Sequence, residues 1–198
     1  DGRELGHLPM LDSPTAHRAV LFAKGEAAGW AATALAERRS KVQAYLHLLR
    51  PHAELIGKLL IWEIGKTYQA GYTDIDRCLA GAQWYVDNIT EMLGDRQPLG
   101  LVSNIASWNY PFSVLLHAVL VQLLCGNAVI AKTPTDGGFI SLSLTFAIAR
   151  RAGHAEFGLD DFERASREVP VIANVTAEPV QDVAAIRDLL VRQVTARV

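Results

Sequence analysis

Two residues stand where side-chain chemistry could emerge from an apolar segment. Asn109 follows the apolar run 99–106 and precedes Pro111. At the carboxyl end of a buried strand, an Asn amide can project into a cleft and donate to a developing oxyanion. It can equally cap a helix that starts at Pro111. Lys132 closes a second apolar run, 127–132, where an ammonium can reach a ribose or phosphate of a dinucleotide. The plain alternative is a solvated lysine at a strand end. The two cysteines, Cys78 and Cys125, stand apart, with no CxxC and no Cys/His cluster at metal spacing. Cys78 falls on an apolar helical stripe and Cys125 ends an apolar helix, so both read as buried structural residues rather than nucleophiles. No G-x-G-x-x-G fingerprint is present.

The elements that must position Asn109 and Lys132 follow from periodicity and punctuation. Strand 99–106, helix 111–124, the cap Gly126, strand 127–132, the breaker pair Gly137 and Gly138, and a helix to about 152 form an alternating pattern. Both strands are apolar, which is the signature of a parallel α/β layer whose sites lie at the strands' carboxyl ends. Four helices precede it. Ser13 reads as an N-cap with Pro14 at the first helical position, opening a helix through about Thr33. A second covers 35–49. Pro51 opens a third, 52–64, with the apolar stripe Leu55, Leu59, Leu60 and Trp62, and Gly65 at a left-handed C-cap. Ile75, Leu79, Ala82, Val86, Ile89 and Leu93 recur at three- and four-residue spacing and predict a helix over 74–93, closed by Gly94. After Gly153 come a charged helix, 160–167, a β-branched strand, 169–175, and an amphipathic helix capped by Asp182.

Composition limits the function classes. The chain has 198 residues, net charge −2, 50% hydrophobic and 20% charged residues, which excludes an intrinsically disordered chain. No basic stripe appears, so no nucleic-acid partner is expected. Isolated cysteines fit a reducing cytoplasm, and the polar opening 1–4 is no secretory signal. Residues 97–131 carry no Asp, Glu, Lys or Arg, yet Pro111, Ser113, His117, Gln122 and Gly126 interrupt the stretch. A buried strand, helix and strand explain it better than a membrane span of roughly 20 apolar residues.

The sequence PLGLVSNIASWNYP at 98–111 and CGNAVIAK at 125–132 resemble the aldehyde dehydrogenase superfamily, in its Trp-Asn-aromatic-Pro turn and its Gly-Asn-x-Val-x-x-Lys strand. DGRELG at 1–6, Trp30 followed by Glu37 and Arg38, and Glu63, Ile64, Gly65 and Lys66 match that family's amino-terminal hairpin and helices in order. The likeness covers residues 1–153. It implies an α/β fold with a helical amino-terminal layer and a truncated Rossmann-like dinucleotide-binding sheet, followed by a short α+β tail at 154–198. It further implies Asn109 as oxyanion donor, and Ile105, Ala106, Ser107, Trp108, Lys132, Pro134 and Thr135 at the cofactor. The reaction implied is NAD(P)-dependent oxidation of a small aldehyde to an acid. Thr135 stands where the family usually has a Glu that grips the ribose hydroxyls. Loss of that carboxylate makes a 2′-phosphate tolerable, so NADP is expected to bind at least as well as NAD. Ser107 replaces the more usual Pro.

The same resemblance marks what is missing. The family's nucleophilic Cys, general-base Glu and pyrophosphate turn lie downstream of the matched segment and are not found here, so this chain alone is expected not to turn over. Residues 161–198 resemble the late part of malonyl-CoA:acyl-carrier-protein transacylases, with Gln193 at the position that helps place that family's His. The nucleophile elbow and His of that family are absent, leaving an acyl-transfer remnant as one alternative. A non-catalytic nucleotide-binding or subunit-interaction chain is another. Unpaired parallel strand edges lead us to expect a homo-oligomer or a self-associating chain.

Overall fold

A computed structural model describes residues 13–134 and 137–151. Four helices come first: α1 (Ser13–Ala32), α2 (Leu35–Leu49), α3 (Ala53–Ile64) and α4 (Tyr68–Leu93). Then follow strand β1 (Leu101–Ile105), helix α5 (Pro111–Leu124), strand β2 (Ala128–Lys132) and helix α6 (Phe139–Arg151). The described residues are therefore mostly helical around a two-stranded parallel sheet. The amino-terminal hairpin, Thr135, the 153–154 junction and the whole 154–198 tail lie outside the described residues.

The bounds of α2 and α5 match the sequence pattern. Elsewhere local sequence misled in instructive ways. Ser13 is already helical rather than the cap before α1. A 3-10 turn at Arg50–His52 precedes α3, because Pro51 lacks the N–H that an α-helical turn would use. Helix α4 begins six residues before Asp74. Thr67 is its N-cap, its hydroxyl accepting from Ala70 N at 3.3 Å, so the first turn is held by capping instead of apolar spacing. The predicted stripe of α3 is also displaced. Ile56 and Leu60 are buried, whereas Leu55 is exposed and Trp62 is 62% exposed. That helix is apolar on most sides, and periodicity cannot say which side meets the core. Gly65 adopts the expected left-handed conformation, φ 70°.

Two layers enclose the sheet. The odd-numbered β2 residues Val129 and Ala131 join the main core with α5 leucines, Phe112, and Ile75, Leu79, Val86 and Ile89 of α4. Residues alternate faces along a strand, so Ala128 and Ile130 point the other way. There α1 packs against β2 through its buried Ala16, Ala19 and Ala23, whose small side chains permit close approach. Ser103 and Ile105 of β1 share that outer face and remain exposed. The register is pinned by Asn127, which is buried: its Oδ1 accepts from Leu99 N at 2.6 Å and Gly100 N at 3.1 Å, and its Nδ2 donates to Gln122 Oε1 at 2.7 Å. Asn127 thus lies just before β2 and works as a staple between the two strand starts, while strand pairing on the β1 side starts at Leu101 and not at 99.

The seam between α4 and α5 contains a titratable group. A Cβ on Gly81 would come within 2.9 Å of the His117 ring, which also meets Tyr85 edge-on at 5.0 Å. Its Nε2 is buried and has no hydrogen-bond partner among the described residues. Burial lowers the His117 pKa, and a hydrogen bond to the Gly81 backbone offsets part of this. Because the folded value lies below the unfolded one of about 6.5, the unfolded chain binds more protons in between. The stability tied to neutral His117 is full above that pH and is lost as pH falls through the folded value. Thermal melts between pH 7 and pH 5 should therefore drop more steeply for the wild type than for His117→Phe. Parallel slopes would count against this assignment.

Candidate functional site

The carboxyl ends of β1 and β2 lie side by side. Ile105 is the register partner of Lys132, and the pairing continues one step further through Ala106 N donating to Lys132 O at 2.8 Å. Partners in a parallel ladder project to the same face. Ile105 is exposed and Lys132 is half-buried, so the two line the same outer surface next to the turn 106–110. Burial pushes the Lys132 pKa down, and among the described residues no carboxylate pairs with it.

The turn itself is open. Ala106 packs on the core and Ser107 is half-buried, while Trp108 is 73% exposed and Asn109 and Tyr110 are exposed. Packing therefore does not account for Trp108. Nor does Asn109 cap α5: the N-cap is Tyr110, at φ −135° and ψ 59°, and no side chain caps that helix. Among the described residues no hydrogen bond engages the Asn109 amide. After Lys132 the chain runs through buried Thr133 and Pro134. The next residue, Thr135, lies outside the described residues.

One conventional anion site is closed from within. The α6 amino terminus follows β2, where a doubly wound fold commonly offers free N–H groups to phosphate. Here the Glu63 carboxylate accepts from Ile140 N at 2.6 Å and Ser141 N at 3.0 Å, satisfying those donors. Any phosphate must be held elsewhere. Glu63 and Lys66 stand out in the sequence only as part of a resemblance, and their contacts with the site are not legible from spacing, since their partners lie up to 78 residues away. Cys78 is buried, and burial raises its pKa. Cys125 is only half-buried, a correction to its reading as a core residue, because it stands at the α5 C-cap beside Arg38. Burial raises its pKa as well, so neither thiol is an activated nucleophile. Among the described residues no group of three metal-ligating side chains occurs, and no helix is long and apolar enough to cross a membrane.

A helical layer over a parallel strand pair, with an exposed Trp-Asn-Tyr-Pro turn beside a strand-end lysine, defines the amino-terminal portion of a dehydrogenase-type fold. Residues 1–156 match the aldehyde dehydrogenase family, and the chain belongs to that family. It is similar to the 3-sulfolactaldehyde dehydrogenase of Pseudomonas putida, 25% identical over 166 residues that make up 77% of this chain and 34% of that protein. The malonate-semialdehyde dehydrogenase 1 of Geobacillus kaustophilus is 27% identical over 145 residues, 66% of this chain and 30% of that protein. Among solved structures, the aldehyde dehydrogenase KauB from Pseudomonas aeruginosa superposes with a TM-score of 0.70 at 24% identity, over 77% of this chain and 34% of that one. The succinic semialdehyde dehydrogenase from Streptococcus pyogenes, in complex with NADP+, gives 0.69 at 16% identity over 85% and 37%. These likenesses show the fold. The chain spans about a third of the length of the relatives it matches. Residues 161–198, read from sequence as similar to a transacylase, lie outside both the family match and the described residues, and none of these likenesses supports that reading.

Proposed function

We propose that residues 1–153 form the cofactor-side portion of an NAD(P)-dependent, aldehyde-oxidising enzyme, with 154–198 a separate tail. The observation that carries this reading is the half-buried ammonium of Lys132, with no carboxylate partner among the described residues, sharing a face with Ile105 beside the open Ser107–Tyr110 turn. Lys132 would hydrogen-bond the adenosine ribose or its 2′-phosphate, while Ile105, Ala106, Ser107, Trp108 and Pro134 would shape the cofactor's bed. Thr135 carries no carboxylate that would repel the 2′-phosphate of NADP. When bound, the nicotinamide supplies a hydride acceptor. Asn109, exposed and with no hydrogen bond among the described residues, would donate its amide to the oxyanion of a small aldehyde under attack by a nucleophile supplied from outside this segment. Such a donor is typically worth about 10²- to 10³-fold in rate. Catalysis by the 198-residue chain alone is not expected.

Calorimetric titration of the chain with NADP+ tests the reading. Lys132→Met should weaken binding about 10- to 100-fold, the worth of one charge-assisted hydrogen bond. Equal affinity in the variant would sink the assignment, and tight NAD+ binding with none for NADP+ would sink the cofactor preference.

The exposed outer face of β1 favours a second feature, association of the chain with itself, because parallel sheets are ordinarily covered on both faces. A strictly monomeric chain in light scattering would exclude it.

A further inference from the structure

The carboxyl end of α3 reaches both turns of the candidate site. Glu63 holds the start of α6 through the backbone N–H groups of Ile140 and Ser141. Ile64 lies so close to Gly137 that a Cβ there would stand 2.4 Å from its Cγ2. After the left-handed Gly65, Lys66 places its Nζ 3.9 Å from the centroid of the Tyr110 ring and 3.0 Å from Asp74 Oδ2. The Asp74 side chain is 1% exposed, so the ammonium is anchored in α4 while it covers the residue next to Asn109. Finally, Gly138 abuts Pro111, where a Cβ would come within 2.4 Å of the proline ring. The turn after β1 and the turn after β2 thus both bear on four consecutive residues.

We propose that Glu63 and Lys66 are positioning residues, a clasp that fixes the Asn109 turn relative to the strand end bearing Lys132. A cofactor that contacts both turns needs their separation set before it arrives, since ordering loops on binding costs affinity. The helix end and the left-handed glycine make the segment short and stiff, so a slip at one contact is transmitted to the other. The proposal rests on the reading of Lys132 as a dinucleotide contact, and its test separates the two.

The experiment uses the full chain, with amide hydrogen exchange and NADP+ titration of Glu63→Gln and Tyr110→Leu. The second variant removes the ring under the ammonium but leaves the Lys66–Asp74 pair intact, avoiding an unpaired buried carboxylate. Each substitution should raise exchange about tenfold or more in both 109–114 and 139–142, and weaken NADP+ binding about fivefold or more. Lys66→Arg, which keeps a cation over the ring, should stay close to wild type. Exchange confined to the turn that each side chain touches would overturn the clasp, as would unchanged affinity in both variants. If the wild type binds no NADP+, the cofactor reading falls, and exchange in the distant turn still decides whether the two turns are coupled.

Discussion

Replacing Gly137 by Ala should destabilise the chain by about 3–5 kcal/mol, combining a backbone conformation reserved for glycine with overpacking. Gly137 has φ 126°, outside the regions open to residues with a side chain. An added Cβ would stand 2.4 Å from Ile64 Cγ2 and 3.0 Å from the Glu63 carbonyl oxygen. The side chain could rotate away, but the carbonyl belongs to the last turn of α3 and moves only with that helix. Urea unfolding would measure the loss. Gly25→Ala and Gly29→Ala are the natural controls: both lie inside α1 with nothing within 4 Å of a new Cβ. They should stabilise by about 0.5–1 kcal/mol each, the usual gain of Ala over Gly within a helix. A Gly137→Ala loss below about 1 kcal/mol would show that the turn can re-form without the positive φ. Since this turn links Lys132 to α6, weakened NADP+ binding should accompany the loss of stability.

Arg38→Met should cost about 3 kcal/mol or more, because a buried guanidinium satisfies carbonyls that no other donor among the described residues reaches. Arg38 is 7% exposed. Its Nε donates to Leu124 O at 3.1 Å, and its Nη1 donates to Ala31 O at 3.2 Å and Thr33 O at 2.8 Å. These oxygens are the orphan acceptors at the ends of α1 and α5, the two helices that cover opposite faces of the sheet. Trp30 adds Nε1 to Leu123 O at 3.0 Å, so the α5 end is held twice. Methionine fills similar volume but leaves the acceptors dry. Arg38→Lys should recover less than half of the loss, because one ammonium cannot span donors set by a planar fork. Equal stability of the Arg38→Met variant in denaturant melts would mean that water replaces the guanidinium.

Both substitutions probe contacts that local pattern could not reveal. The three-four spacing along α4 correctly picked out Ile75, Leu79, Ala82, Val86 and Ile89 as buried, because residues at that spacing share one face of a helix. In α3 the same reasoning placed Leu60 correctly in the core but also chose Leu55 and Trp62, which stay exposed, since a helix apolar on most sides carries little directional signal. Gly94, Gly126 and Gly65 were legible as helix stops, and each has positive φ. Thr67, whose hydroxyl makes the capping bond that starts α4, lies ahead of the apolar spacing that begins at Ile75, so periodicity placed the start of that helix too late. Of the candidate site, Ile105, Ala106, Ser107, Trp108, Asn109, Lys132 and Pro134 fall at the strand ends where the alternating pattern put them. What each does there awaits the NADP+ titration.

By itself the sequence determined the order of the elements, the parallel sense of β1 and β2, and the placement of Asn109 and Lys132 at their carboxyl ends. Those properties follow from periodicity, proline and glycine, which act over a few residues. Only the tertiary structure decided that Asn109 is free of a capping role, that Lys132 shares a face with Ile105, and that Glu63 closes the α6 terminus. Each of these depends on register or on contacts between residues far apart in sequence, and such contacts exist only once the helices have packed around the sheet.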